Sequence, residues 1–206
     1  MEKWKKSDFL QELETRMWES CGTVYKLGGI GRYDGANGKR TYDCVGIFKS
    51  ILWDYPFHPE NYGKTYPDVN VGGMKNRCTK VMPFDEDKLE AGMLVFIGTE
   101  HIGMCGDPKY FKEGTSTKDI IYESTPAFQN CLQRTSVAER ASRPWTHMGY
   151  ADFIDYTEDT PSEPSEPSED VSALTQDVAE LKAQLTSLQK EVTNINSKLA
   201  KIKEVL

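Results

Sequence analysis

Long hydrophobic runs, an excess of basic residues and paired cysteines are all missing from this sequence. No stretch is long enough to span a membrane. The opening Met-Glu-Lys-Trp-Lys-Lys has no apolar core of export-signal length, so the chain is expected to be made in a cytoplasm and not exported by a signal of its own. Lys and Arg number 25 against 32 Asp and Glu, a net charge of -7. Nucleic-acid binding calls for a basic face, so nucleic acid is not an expected partner. The five cysteines are Cys21, Cys44, Cys78, Cys105 and Cys131, an odd number with no C-x-x-C pair. A disulfide framework and a structural zinc site are therefore not expected, and at least one thiol stays free. Gly38-Lys39 is followed by Arg40 and so does not complete a phosphate-binding loop. Neither a metal nor a cofactor is anticipated.

What is present divides into three parts. Of the 206 residues, 38% are hydrophobic and 11% aromatic, enough for a core in residues 1–156. From Glu158 onward there are ten acids and five bases, leaving 22 acids and 20 bases before it. Residues 157–170 repeat Pro-Ser-Glu three times, an extended and self-repelling linker. Residues 171–206 carry heptads. Val171, Val178, Leu185, Val192, Leu199 and Leu206 fall at a, and Leu174, Leu181, Leu188, Ile195 and Ile202 at d. That stripe predicts a coiled coil and self-association. Valine at a with leucine at d suits a dimer, whereas isoleucine at d favours a trimer.

In the first part, Thr41-Tyr42-Asp43-Cys44 leads into an apolar-periodic segment. Val45, Phe48, Ile51, Leu52 and Tyr55 recur at helical spacing. Cys44 is then expected in the first turn, where the helix dipole favours a thiolate. A thiolate is a nucleophile, whereas a buried thiol is only a small core residue; this stretch alone allows both. Residues 3–20 predict a packing helix with Phe9, Leu10, Leu13, Met17 and Trp18 on one stripe and Ser7 as its cap. The glycines between Gly28 and Gly38 predict a loop, and the prolines at 56, 59, 67 and 83 an irregular excursion with a short helix near 71–78.

Beyond that, the period changes to two. Strands are expected at 93–97, 101–105, 118–124, 129–135 and 148–155. His101, Gly103 and Cys105 share one face of their strand. If 118–124 pairs with it, Glu123 can reach the imidazole and orient it. Each also has a plainer reading: His101 as a hydrogen-bonded structural histidine, which the strand alone favours, and Glu123 as a solvated strand carboxylate. His58 and His147 read as surface or structural residues. The fold class is α+β.

The order of these motifs brings in a family. Tyr25-Lys26-Leu27-Gly28-Gly29, Asp43-Cys44 opening a helix, and His101-Ile102-Gly103 before Gly106-Asp107 resemble the NlpC-type cell-wall cysteine peptidases, a papain-like group. The resemblance runs from about Tyr25 to Tyr156. The segments Gly92–Phe96, Ile121–Ser124 and Trp145–Gly149 look similar to phage lysins of that group. It implies N-terminal helices, a nucleophile helix and an antiparallel sheet. It implies Cys44 as nucleophile, His101 as base and Glu123 as the ring-orienting residue. Tyr25 and the Cys44 N–H would form the oxyanion site, and Asp43 would touch polar groups of the substrate. That substrate is bacterial peptidoglycan, cut in its stem peptide between D-glutamate and a diamino acid. Alternatives are an amidase cutting between muramic acid and L-alanine, a transferase, and a catalytically silent oligomeric wall-binding module. The family's usual Asp-Cys-Ser-Gly reads Asp-Cys-Val-Gly here, with Val45 for serine. A phage lysin made in the host cytoplasm and acting at the wall is the corresponding expectation.

Overall fold

The computed structural model describes residues 2–19, 23–34, 38–128 and 131–157. The expected linker and coiled coil lie outside the described residues. In chain order the elements are β1 (Trp4–Lys5), α1 (Lys6–Glu19), β2 (Val24–Tyr25), β3 (Ile30–Asp34), β4 (Lys39–Tyr42), α2 (Gly46–Leu52), α3 (Val71–Arg77), β5 (Lys80–Pro83), β6 (Leu94–Ile97), β7 (His101–Cys105), β8 (Ile121–Thr125), β9 (Cys131–Thr135), β10 (His147–Tyr150) and β11 (Ile154–Asp155). Short 3-10 turns occupy Thr117–Asp119 and Ala138–Arg140 among other connections. The fold is mixed α+β. Among the described residues, no helix is long and apolar enough to cross a membrane.

One sheet of six strands, in the order β5-β10-β6-β7-β8-β9, carries the architecture, and every neighbouring pair in it is antiparallel. Its central strands are buried on both faces. Leu94, Phe96, Ile102, Met104, Tyr122 and Leu132 join Phe9, Leu10 and Leu13 of α1 and Ile47, Phe48 and Ile51 of α2 in one cluster. On the opposite face Met93, Val95, Ile97, Cys105, Ile121, Trp145 and Met148 form a second cluster. Alternate residues of one strand thus feed two cores, as the pleat requires. Arg16 ties the two helices together, donating to Ser50 Oγ at 3.2 Å and to the Tyr55 carbonyl at 2.6 Å.

Several expectations change. The glycine-rich stretch is no simple loop, because β2, β4 and β3 make a three-stranded sheet with an irregular register between Ile30 and Arg32. β5 was hidden in the proline-rich excursion; it is an edge strand, and Pro83 at its end is tolerated there. The expected strand 118–124 begins only at Ile121, after a 3-10 turn. The expected strand 148–155 breaks at residues 151–153 into β10 and β11, and β11 pairs with β1. Helix α1 starts at Lys6, so Ser7 lies inside it and is not its cap.

The feature that positions the site is a split. β6 and β7 pair over four residue pairs, but the β7–β8 ladder holds only Met104↔Tyr122 and Cys105↔Ile121. The His101 end of β7 therefore parts from β8. The segment leading to α2 sits at this split, and Ser124 Oγ of β8 donates to the Tyr42 carbonyl at 3.0 Å.

Candidate active site

Cys44 sits two residues before α2 rather than in its first turn. The turn is built around Asp43. Its Oδ1 accepts from the backbone N–H of Val45 at 3.1 Å and Gly46 at 2.6 Å, and its Oδ2 accepts from Gly28 N–H at 2.8 Å. One carboxylate thus caps the helix and anchors the glycine-rich segment to it. Both of its oxygens are used by main chain. Gly46 is demanded by close approach: a Cβ there would lie 1.8 Å from the Gly29 carbonyl oxygen.

The Cys44 thiol, 6% exposed, faces the main chain of β7 on either side of His101. Its Sγ donates to the Glu100 carbonyl at 4.0 Å and receives a hydrogen bond from Ile102 N–H. Burial, and then the Asp43 charge, push the thiol up to about 11. The expectation of a dipole-stabilised thiolate is thereby corrected. The N–H groups of Ile102, Val45 and Cys44 do favour the thiolate, but burial and then the like charge of Asp43 outweigh them. The Cys44 N–H itself interacts with its own sulfur. Tyr25 is half-buried, and its phenol is raised first by burial, then by Cys44 and Asp43, with Arg143 pulling the other way. That places Tyr25 within electrostatic reach of the thiol.

His101 is 5% exposed and Glu123 is fully buried, on the same face of the sheet. His101 Nε2 lies 2.5 Å from Glu123 Oε2. The other carboxylate oxygen, Oε1, accepts from Thr135 Oγ1 and from Arg140 Nε, the latter at 3.0 Å, and Arg140 Nη2 also donates to Oε2. Burial alone would raise the Glu123 carboxyl, but the hydrogen bonds from His101, Arg140 and Thr135 outweigh it and hold the group below the usual carboxylate range. Glu123 is then ionised, and a 2.5 Å contact between it and Nε2 requires the ring proton on Nε2. Nδ1 is left as the open, basic nitrogen. Trp145 covers the ring, with centroids 5.7 Å apart and planes at 19°. Gly103 makes room for this cover, since a Cβ there would lie 3.1 Å from the Trp145 ring and 2.7 Å from Ile121.

The other two histidines are elsewhere. His58 is exposed and bonds Glu60 at 3.0 Å, and His147 bonds Thr146 Oγ1 at 2.9 Å. The structure therefore joins His101 to Glu123, and brings Cys44 against the His101 strand beside Tyr25 and Asp43. Among the described residues, no hydrogen bond joins Cys44 Sγ to the imidazole. Sequence reasoning missed Arg140, Thr135 and Trp145. It also missed Arg143, whose Nη2 lies 2.6 Å from Glu100 Oε2 at the exposed edge of the site.

No family model and no curated protein matches the chain. Among solved structures, the P60 domain of an antigen from M. avium paratuberculosis is similar over 71% of this chain and 95% of that one. The identity is 15% and the TM-score 0.39.

Chemically, the arrangement offers a thiol, an open imidazole nitrogen and the Cys44 N–H at one split in a sheet. The thiol is not preset as a thiolate. For this thiol to act as a nucleophile a base would have to take its proton, and the only buried histidine among the described residues lies on the strand whose main chain the sulfur faces.

Proposed function

We propose that the chain is a cysteine hydrolase of bacterial peptidoglycan, acting as an endopeptidase on stem peptides in the manner of a phage lysin. The single observation that supports the reading is the buried Glu123–His101 pair, which ties up Nε2 and leaves Nδ1 open on the strand end that Cys44 touches. The wall substrate rests on the resemblance carried by Tyr25–Gly29, Asp43-Cys44 and His101–Gly103, as does the bond between D-glutamate and a diamino acid.

In the proposed reaction the Cys44 thiol turns from the Glu100 carbonyl, and Nδ1 of His101 takes its proton as sulfur attacks the peptide carbonyl. The oxyanion is held by Cys44 N–H and the Tyr25 phenol. The C–N bond breaks, the leaving amine takes the proton from His101, and water then hydrolyses the thioester. Asp43 positions the nucleophile turn in this scheme. The heptads of 171–206 are proposed to oligomerise the enzyme and raise its residence on a polymeric wall; removing 158–206 should lower both the mass by light scattering and wall retention.

The test is chemical. Purified peptidoglycan digested with the protein should gain free amino groups and no new reducing sugar ends, and Cys44→Ser should produce neither. New reducing ends, or no amines from any of a panel of walls, would overturn the proposal.

A further inference from the structure

Arg140 belongs to no motif, and nothing in the proposed reaction uses it. It is nonetheless 5% exposed, with its guanidinium 5.2 Å from the Phe128 ring and 5.7 Å from the Trp145 ring. Burying such a cation is costly unless its charge and its N–H groups are matched. Here Glu123 supplies the opposing charge and accepts from Nε and Nη2 in the two-pronged manner that a guanidinium allows. Nη2 also lies 3.2 Å from His101 Nε2. With the ring proton on Nε2, that contact is a cation set beside an N–H, not a hydrogen bond.

We infer that Arg140 is a positioning residue: it clamps Glu123 against His101 Nε2, and so holds the imidazole in one tautomer with Nδ1 as the open nitrogen. The charges explain why a cation is useful. Arg140 and Glu123 sum to zero, so the buried cluster is neutral when the ring is neutral. Remove Arg140, and the cluster keeps a buried negative charge, which a proton on the ring would cancel. Remove the charge of Glu123 instead, and Arg140 stands unopposed beside the ring and repels that proton. The other charged and titratable groups near the ring are Cys44, which lies against the main chain of its strand, and the exposed Arg143–Glu100 pair next to it in sequence. Trp145 and Thr135 add no charge. Arg140 thus keeps a ring held by a carboxylate available as a base. Its catalytic importance rests on the hydrolase reading, whereas its hold on the ring does not.

The test is nuclear magnetic resonance of the full chain labelled with 15N-histidine, without substrate. Only three histidines are present, and His101→Asn assigns the signal. The parent should show His101 protonated at Nε2, with that proton slow to exchange. In Arg140→Met the ring should take its second proton at higher pH, by about one unit or more, the usual size for a charge lost within 4–6 Å. Arg140→Lys, which keeps the charge, should restore most of that shift. Glu123→Gln should move protonation the opposite way, to lower pH. Titration and tautomer unchanged in folded Arg140→Met would overturn the inference. If Arg140→Met does not fold, a shift to higher pH in Glu123→Gln would overturn it instead. Digestion of peptidoglycan by the same samples is scored separately. Failure of digestion with the ring behaviour intact removes the hydrolase reading alone, and the converse removes the role of Arg140 alone.

Discussion

Asp43→Asn should make the protein less stable and its Cys44 thiol more acidic at once. The carboxylate is 7% exposed and accepts three main-chain hydrogen bonds, from Val45, Gly46 and Gly28. Asparagine has one carbonyl oxygen and one amide nitrogen. Whichever way it faces, a donor meets a donor on one side. Leaving one buried N–H unpaired costs about 1–3 kcal/mol, and the remaining bonds lose their charged acceptor. The expected loss is about 3 kcal/mol, measured by urea denaturation. The same charge is, after burial, the second cause that lifts the Cys44 thiol to about 11. With it gone, alkylation of Cys44 by iodoacetamide, followed by mass spectrometry of its peptide, should rise at lower pH than in the parent. A stability loss below about 1 kcal/mol would show that Asp43 does not hold the turn. An unmoved alkylation profile would show that its charge does not reach the thiol.

Three further outcomes follow from the same geometry. Gly46→Ala drives a Cβ to 1.8 Å from the Gly29 carbonyl oxygen, where only main chain could yield, so it should cost more than about 4 kcal/mol in thermal or urea unfolding. The raised Cys44 thiol favours the folded state in its neutral form. That contribution is whole below the unfolded value of 9.0 and lost as pH climbs through about 11, roughly 3 kcal/mol in all, so Cys44→Ala should flatten the stability curve over that window. Glu123 has the opposite sign: its lowered carboxyl adds stability above the ordinary 4.5 that is lost as pH falls through the folded value, and Glu123→Gln should lose this acid-side slope in denaturation series.

How much could be read from the sequence depended on the range of the interaction. β7 was legible from its own alternation, and the structure gives it the same bounds, His101–Cys105. Glu123 was legible conditionally, through a guess at which strands pair; β7 and β8 do pair, and the carboxylate meets the ring. Arg140 and Thr135 were not legible, because an arginine in a polar connection and a threonine at a strand end ordinarily face solvent. Only the approach of β8, β9 and the 138–140 turn makes them partners of one buried carboxylate. The small sheet of β2, β3 and β4 was masked by its own glycines, which signal turns. The thiol was misjudged first because its burial comes from tertiary packing that the local sequence does not show, and then because Asp43, read as a neighbour of the substrate, adds its charge beside the sulfur.

The central claim is that Cys44 attacks an amide bond of peptidoglycan. The direct measurement is to incubate the protein and Cys44→Ala side by side with purified peptidoglycan, and to identify the soluble fragments by mass spectrometry. Fragments with new peptide termini from the parent alone are the predicted result, and their masses name the bond, stem-peptide or muramoyl-alanine. The same fragments from both proteins would contradict the claim, as would none from either across walls of different chemistry.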